Sequence, residues 1–209
     1  MDIKNFFEFS SKFVLTTFTA YAHDLQPPSE ADKLGGTLRL VTGDYSDISF
    51  PVTFKHERGK VLRDVLDTGT ATLFLISDHM RSILEDGGLT GWKCFPIELL
   101  SKKDGPIDGY QGFSVTGRCG PIDVSKSRIV RKRLVPNGPE ATFYEGLYVG
   151  LDEWDGSDFF LPQDHYGPVI TSRAAKIIKA NKLTNVYLRK LSEVEFDEGT
   201  AKLMLKKQA

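Results

Sequence analysis

Three of the four histidines stand beside an aspartate, and such pairs occur in acid–base and nucleophilic catalysis. The pairs are His23 with Asp24, Asp78 with His79, and Asp164 with His165. Neighbours in sequence usually point to different faces of a helix or strand, and catalytic groups are assembled by tertiary contact. Adjacency alone therefore predicts no catalytic pair. We expect Asp78 to stabilise the start of a helix through the helix dipole.

The two cysteines are the candidate thiol nucleophiles. Cys94 lies in the apolar run WKCFPI, where a thiol is usually buried and unreactive, although it could pair with His79. Cys119, in GRCG, is expected to be more exposed. Two widely spaced cysteines predict neither a disulfide framework nor a metal site, and the glycines lack phosphate-loop spacing. The residues therefore predict no catalytic, metal-binding or cofactor-binding site, and a reducing compartment fits best. An enzyme built on Asp164, His165 and Cys119 is an alternative.

One basic stretch, KSRIVRKRL, could follow the phosphates of a nucleic acid. Its cations are Lys126, Arg128, Arg131, Lys132 and Arg133. Aromatic residues that would stack on bases are not interleaved with them, and no helix-turn-helix or zinc-knuckle pattern accompanies the charge. We expect a solvated strand face. A nucleic-acid-binding module using residues 126–133 is the alternative function.

The acidic segment LDEWDGSDFF places four carboxylates around one tryptophan. These residues are Asp152, Glu153, Trp154, Asp155 and Asp158. Their spacing is too irregular for a calcium loop, and Asp155-Gly156 favours a chain reversal. An exposed tryptophan among carboxylates would suit a basic partner, because it combines an aromatic anchor with electrostatic steering. We predict that these five residues bind a partner protein, with a simple turn as the alternative.

An internal repeat predicts the elements that position these groups. ISDHMRSILEDGGLTG (76–91) aligns without a gap with ITSRAAKIIKANKLTN (170–185), at an offset of 94. Both contain apolar residues at helical spacing. Ser77 or Thr171 can cap the first turn, and Gly87 or Asn181 can end the helix in a left-handed conformation. Helices are therefore predicted at about 77–87 and 171–181.

Apolar runs on both sides of each helix predict two similar strand-helix-strand units. LFLIS and WKCFPIEL flank the first helix, and GPVIT and VYLRKL flank the second. Further strands are predicted at 37–41, 48–56, 113–119, 128–135 and 141–149, with loops at QPPSE, SKKDGPIDG and VPNGPE. The first 25 residues fit either a helix or a strand. The pattern predicts an α+β fold of mostly strands, with halves at 1–105 and 106–209 or one compact domain.

The charge balance excludes a protein that binds polyanions through its overall charge. The 209 residues include 27 Lys and Arg and 28 Asp and Glu, so the net charge is -1. Electrostatic binding must therefore come from local patches.

No run reaches the ~20 apolar residues of a membrane span. FFEFSSKFVLTTFTAYAHD looks superficially like a signal peptide, but Glu8 and Lys12 interrupt it. We expect a cytoplasmic protein, and the sequence does not predict its oligomeric state.

The run GLYVGLDEWDGSDFFLPQDHYGPVITSRAAKIIKANKLTNVYLRKLSEVE resembles bacterial immunity proteins of polymorphic toxin systems, specifically immunity protein family eleven. The resemblance rests on Trp-Asp-Gly-Ser-Asp before an aromatic pair, a Ser or Thr that opens a helix, and Leu-Thr-Asn before a final strand. It covers residues 143–195, and LTGWKCFPIEL is similar. It implies a non-enzymatic protein that binds and silences a toxin made by the same cell. A basic toxin such as a nuclease would suit the acidic patch.

Overall fold

The structure, a computed structural model, describes residues 2–12, 14–22, 25, 35–70, 72–103, 105–163, 165 and 167–206. In these residues the chain forms sixteen strands and four α-helices, which confirms the predicted α+β fold of mostly strands. The QPPSE loop, His23, Asp24 and Asp164 lie outside the described residues. No described helix is long and apolar enough to cross a membrane.

The strands are short, and most of them lie in two large mixed sheets. In chain order they are β1 (Phe6–Ser11), β2 (Thr19–Tyr21), β3 (Val52–Arg58), β4 (Val65–Asp67), β5 (Phe74–Ser77), β6 (Trp92–Phe95), β7 (Ile97–Leu100), β8 (Tyr110–Val115), β9 (Gly117–Ile122), β10 (Arg128–Arg133), β11 (Glu140–Glu145), β12 (Val149–Gly150), β13 (Phe159–Pro162), β14 (Val169–Thr171), β15 (Val186–Lys190) and β16 (Glu195–Asp197). The helices are α1 (Gly35–Thr42), α2 (Asp78–Asp86), α3 (Ser172–Ala180) and α4 (Glu198–Lys206).

The two large sheets have the same strand order. Across the sheet, the first runs β6-β8-β5-β4-β2-β3-β7 and the second runs β15-β1-β14-β13-β9-β12. Six strands therefore correspond one to one, and among the described strands of these two sheets only β7 has no counterpart. The register also agrees, because Val65 pairs with Ile76 in the first sheet and Phe159 pairs with Ile170 in the second, each 94 residues later. The two predicted units are thus repeats in three dimensions.

The two repeats exchange one strand. β1 comes from the N-terminal half but lies between β14 and β15 in the second sheet. β8 comes from the C-terminal half but lies between β5 and β6 in the first sheet. Each sheet is therefore completed by a strand of the other half. The division into domains at 1–105 and 106–209 stays a prediction.

Both repeat helices begin as the sequence predicts. The Ser77 hydroxyl accepts a hydrogen bond from the Met80 amide at 3.1 Å, and the Thr171 hydroxyl accepts one from the Ala174 amide at 3.2 Å. These bonds satisfy amides that have no partner inside the helix. Each helix buries its apolar face, as the 3.6-residue spacing predicts.

The ends of the helices differ in one detail from the prediction. Gly87 and Asn181 have negative φ angles of -72° and -88°, so the expectation that they are left-handed was wrong. The left-handed residues are the next ones, Gly88 at 56° and Lys182 at 53°. The leucine that follows donates its amide to the helix at 3.0 Å in the first repeat and at 3.3 Å in the second. This is the Schellman arrangement, which places the left-handed residue just after the cap.

Two strand predictions fail for tertiary reasons. Residues 37–41 belong to α1, where Leu40 and Val41 are buried and the Leu40 carbonyl accepts the Ser114 hydroxyl of β8. Packing thus overrides the strand-like alternation of this segment. WKCFPIEL forms two strands, because Pro96 separates β6, which pairs with β8, from β7, which pairs with β3. The ambiguous first 25 residues contain β1 and β2.

The core has two clusters, and alternation along the strands distributes residues between them. Phe159 belongs to the larger cluster, which is covered by α2 and α3, whereas its neighbour Phe160 belongs to the smaller one beside the three-stranded sheet β10-β11-β16. Phe9 of β1 is buried in the larger cluster, 5.7 Å from Phe74 and 5.8 Å from Phe159 between ring centroids. The exchanged strand therefore contacts both repeats.

Candidate partner-binding surface

The predicted acidic segment forms a 3-10 helix, Leu151–Glu153, and a turn that leads into β13. Asp155 organises the turn: its carboxylate accepts the Ser157 amide at 3.0 Å and the Arg118 amide at 2.8 Å. Burial acts to raise the pKa of Asp155, but hydrogen bonds from Ser157 and Arg118 outweigh it and the pKa is lowered. Gly156 has a φ of 83°, as the predicted reversal requires.

Trp154 is packed against the molecule. Its ring lies 5.4 Å from Phe6 and 5.5 Å from Phe160, and its indole nitrogen donates to the Ser157 carbonyl at 3.1 Å. Trp154 is therefore half-buried instead of fully exposed, and its role in binding a partner stays a prediction. The sequence around Trp154 contains no sign of the aromatic surface on which it packs, because Phe6 comes from the distant strand β1.

Asp158 is buried, with 5% of its surface exposed. Its carboxylate accepts hydrogen bonds from the Thr171 hydroxyl at 2.8 Å, the Arg173 guanidinium at 2.7 Å and the Thr90 amide at 3.2 Å. Thr171 and Arg173 belong to the second repeat, and Thr90 follows the helix of the first. Asp158 therefore joins the two repeats. Its carboxylate charge is paired with Arg173 inside the protein.

Asp64 occupies the equivalent position in the first repeat, 94 residues earlier. Its carboxylate accepts the Ser77 hydroxyl at 2.8 Å, His79 Nδ1 at 2.9 Å, and the amide and hydroxyl of Thr184 at 2.7 and 2.6 Å. The two aspartates thus make reciprocal bonds, each to the threonine that follows the helix of the other repeat. Sequence reasoning missed this pair, although Asp64 with Asp158 and Thr90 with Thr184 share the offset of 94.

Asp152 and Glu153 remain exposed, and they line an open cleft of about 600 Å³. Asp2 and Asp123 also line this cleft, and Lys126 is the cation among the lining residues. Asp123 is already engaged, since hydrogen bonds from Ser125 and from Lys126, whose Nζ lies 3.1 Å away, lower its pKa. Asp152 and Glu153 have no hydrogen-bond or ion-pair partner among the described residues. We call this feature the acidic cleft.

Comparison with known families places these features in context. The family model described as Immunity protein family (Imm11) matches residues 12–193. The chain belongs to this family. The match includes both repeat helices and both aspartate–threonine pairs, so the resemblance expected for residues 143–195 extends over most of the Imm11 chain. A search of curated proteins finds no match.

The basic stretch of this Imm11 protein forms β10, an exposed edge strand of the small sheet. Arg128 pairs with Glu145 and Lys132 pairs with Glu195, so part of its charge is neutralised within the sheet. Arg131 also lies on the exposed strand. The expected solvated strand face is observed, and a nucleic-acid-binding role of β10 stays a prediction.

The candidate nucleophiles are held in their protonated forms. Burial raises the pKa of the Cys94 thiol to about 11 and that of the Cys119 thiol to about 12. Cys119 is 5% exposed, so its expected exposure was wrong. A thiol with such a pKa is a poor nucleophile at neutral pH, because the thiolate is the reactive form.

Among the residues that the structure describes, His79 binds Asp64 instead of its neighbour Asp78 or Cys94. His165 lines a pocket of about 310 Å³ that also contains Cys119, the thiol whose pKa is raised by burial. In the described part of the chain, no group of three or more His, Cys, Asp or Glu is placed to hold a metal ion.

Proposed function

We propose that this protein neutralises a cognate bacterial toxin by binding to it in the cytoplasm, without catalysis. The observation that carries the proposal is the Imm11 family match over residues 12–193. The raised thiol pKa values and the bonds of Asp64, Asp158 and His79 support a binding role, because these groups are buried or hydrogen-bonded within the protein.

The acidic cleft is the surface that we assign to the toxin. Asp152 and Glu153 are exposed and lack partners among the described residues, so their charges are free to attract a basic surface. Opposite charges at an interface accelerate association and set the orientation of the partner. A tight inhibitor of this kind would bury about 1,600 Å² in total, so the cleft would form only part of the contact.

The proposal is tested with the toxin module encoded next to this protein. We expect the adjacent reading frame to encode a large multidomain protein that ends in a short variable toxin module. Expression of that module in a laboratory bacterial host should arrest growth, and coexpression of the immunity protein should restore it. The control is the same plasmid with the start codon of the immunity protein removed.

Purified proteins provide the second part of the test. The toxin module and the immunity protein should form a complex with a Kd in the range of about 10⁻⁹ M or below, as tight inhibitors do. Persistent growth arrest in cells that contain the folded protein would reject the immunity function. Binding to a generic oligonucleotide, with an affinity that falls steeply with salt, would favour the nucleic-acid alternative instead.

A further inference from the structure

A second pocket lies at the edge of the first sheet, between the turn that follows β3 and the loop that follows β7. It has a volume of about 530 Å³. Its apolar lining comes from Phe18, Leu62 and Ile107, and its charged lining comes from Lys60, Lys102 and Lys103. We call this feature the basic pocket.

Backbone hydrogen bonds hold the loop of the basic pocket in place. The Ser101 amide donates to the Gly105 carbonyl at 2.9 Å, and the Ile107 amide donates to the Leu99 carbonyl at 2.7 Å. The second bond places Ile107 beside β7. Since β7 has no counterpart among the described strands of the second sheet, this loop is an addition to the repeat.

The turn on the other side is also constrained. His56 Nε2 lies 2.6 Å from the Gly59 carbonyl oxygen, to which it donates. Gly59 has a φ of 70°, and a Cβ at this position would lie 1.9 Å from the Thr17 carbonyl oxygen. A side chain with a Cβ does not fit at this position, so glycine is required in the turn that carries Lys60.

The charges of the basic pocket are not neutralised by any residue that the structure describes. Lys60, Lys102 and Lys103 are exposed, and none has an ion-pair partner among the described residues. No Asp or Glu belongs to the described lining. Leu62 is 45% exposed, so apolar surface lies open next to the three cations. An apolar floor with a charged rim is the arrangement found at binding hot spots of protein interfaces.

We propose that the basic pocket binds an acidic segment of the partner protein, in which an apolar side chain packs on the floor and adjacent carboxylates reach the lysines. The identity of that partner as the toxin rests on the proposed function. The cations lie on the rim and are solvated, so they suit carboxylates of a bound protein surface. Phe18 is 4% exposed and offers no platform on which a base could stack, which disfavours a single-stranded nucleic acid.

The two surfaces would act together. The acidic cleft lies beside strands of the second sheet, and the basic pocket lies at the edge of the first sheet. Their opposite charges offset each other in the net charge of -1. A partner with one basic and one acidic region would bind in a single orientation, because the reversed orientation would place like charges together.

The test uses a blocked pentapeptide in which phenylalanine is flanked by two acidic residues on each side. The full-length protein is titrated with this peptide, and amide and methyl NMR signals are followed. We expect saturable shifts at Phe18, Leu62 and Ile107, and weaker binding when glycine replaces the phenylalanine of the peptide. The variant Lys60→Glu/Lys102→Glu/Lys103→Glu should bind the peptide at least about tenfold more weakly, since the variant repels its carboxylates.

A matched control changes the net charge equally at exposed lysines that do not line the pocket. Lys12→Glu/Lys176→Glu/Lys206→Glu should change peptide affinity by less than about twofold at moderate salt. Leu62→Ser tests the floor at a half-exposed position that folding tolerates, and it should remove the preference for phenylalanine. Equal weakening by both triple variants would overturn the proposal, because the effect would then come from overall charge.

Other ligands give further decisive outcomes. Phenylacetate that binds as tightly as the peptide would show a small-molecule pocket, and a thymidine oligonucleotide that shifts these signals while the peptide does not would show a nucleic-acid site. Either result overturns the proposal. The peptide experiment does not involve the toxin, so its failure is distinguishable from failure of the immunity function.

Discussion

At the scale of single residues, the reciprocal aspartates make bonds of unequal length to the two threonines. The Thr184 hydroxyl lies 2.6 Å from the Asp64 carboxylate, whereas the Thr90 hydroxyl lies 3.5 Å from that of Asp158. Short hydrogen bonds to a charged acceptor contribute more than long ones. The repeats therefore provide a matched comparison inside one molecule.

We predict that Thr184→Val lowers the free energy of unfolding by about 1–2 kcal/mol, and that Thr90→Val lowers it by less than about 1 kcal/mol. Valine has nearly the shape of threonine but cannot donate to the carboxylate. Urea unfolding of both variants measures the difference. An equal or larger effect of Thr90→Val would show that the bond lengths do not determine the stabilisation.

The pKa of Asp64 adds a prediction about pH. Burial acts to raise this pKa, but the hydrogen bonds from Thr184, His79 and Ser77 outweigh it, so the folded pKa is below the ordinary value of 3.8. The carboxylate therefore contributes stability that is fully present well above pH 3.8 and is lost as the pH falls through the folded pKa.

Asp64→Asn should therefore be most destabilising at neutral pH. The difference in unfolding free energy between the wild type and Asp64→Asn should shrink between about pH 5 and pH 2, because the wild-type carboxylate becomes protonated there. Urea unfolding at several pH values gives both curves. A difference that stays constant with pH would mean that the Asp64 charge is not coupled to folding.

The exposed carboxylates of Asp152 and Glu153 give a further prediction about single side chains. Asp152→Lys/Glu153→Lys should slow association with the toxin roughly tenfold at low salt and flatten its salt dependence. Asp86→Lys/Glu140→Lys, at exposed positions that line neither the acidic cleft nor the basic pocket, makes the same change in net charge and should have a much smaller effect. Stopped-flow association rates at increasing salt distinguish the two. Unchanged rates for the first variant would remove the cleft from the interface.

At the scale of elements, the two repeat helices end in the same motif with different residues. The left-handed residue is Gly88 after α2 and Lys182 after α3. Side chains with a Cβ are strained in this conformation by about 1 kcal/mol, whereas glycine is not. Equivalent positions therefore differ in strain although their hydrogen bonds are alike.

Lys182→Gly should raise the midpoint of thermal unfolding, and Gly88→Ala should lower it. Each change corresponds to about 1 kcal/mol, or roughly 2–4 °C for a chain of this size. Calorimetry of both variants provides the measurement. If Lys182→Gly were destabilising, the gain in flexibility of the unfolded chain would exceed the strain relieved in the helix end.

At the scale of the whole molecule, the exchange of β1 and β8 couples the two sheets. The second sheet cannot close its gap between β14 and β15 without β1, and the first sheet needs β8 in the same way. Removal of either strand exposes unpaired backbone groups and apolar surface. The separate sheets are consequently not expected to be independent in folding.

We predict a single cooperative unfolding transition for both sheets. In native-state hydrogen exchange, the slowest amides of β5 and β14 should open with the same free energy, because each strand pairs with one from the other half. Two calorimetric transitions, or protection that differs clearly between the sheets, would show that the halves unfold separately.

Local rules predicted the parts of this fold that depend on neighbouring residues. The repeat helices α2 and α3, their hydroxyl caps at Ser77 and Thr171, and the reversal at Asp155-Gly156 all follow from side chains within a few positions. α1 was missed because its alternating pattern is typical of a strand and its packing against β8 is not visible in the sequence.

The sequence by itself determined the class of fold, the two similar units, the boundaries of their two helices and the family, because these depend on periodicity and on short motifs. Only the tertiary structure decided which charged side chains are exposed. It buries Asp158 and Cys119, packs Trp154 on Phe6, and leaves Asp152 and Glu153 exposed. The reason is that many of the groups around these side chains come from distant parts of the chain, as Phe6 of the exchanged strand β1 does beside Trp154.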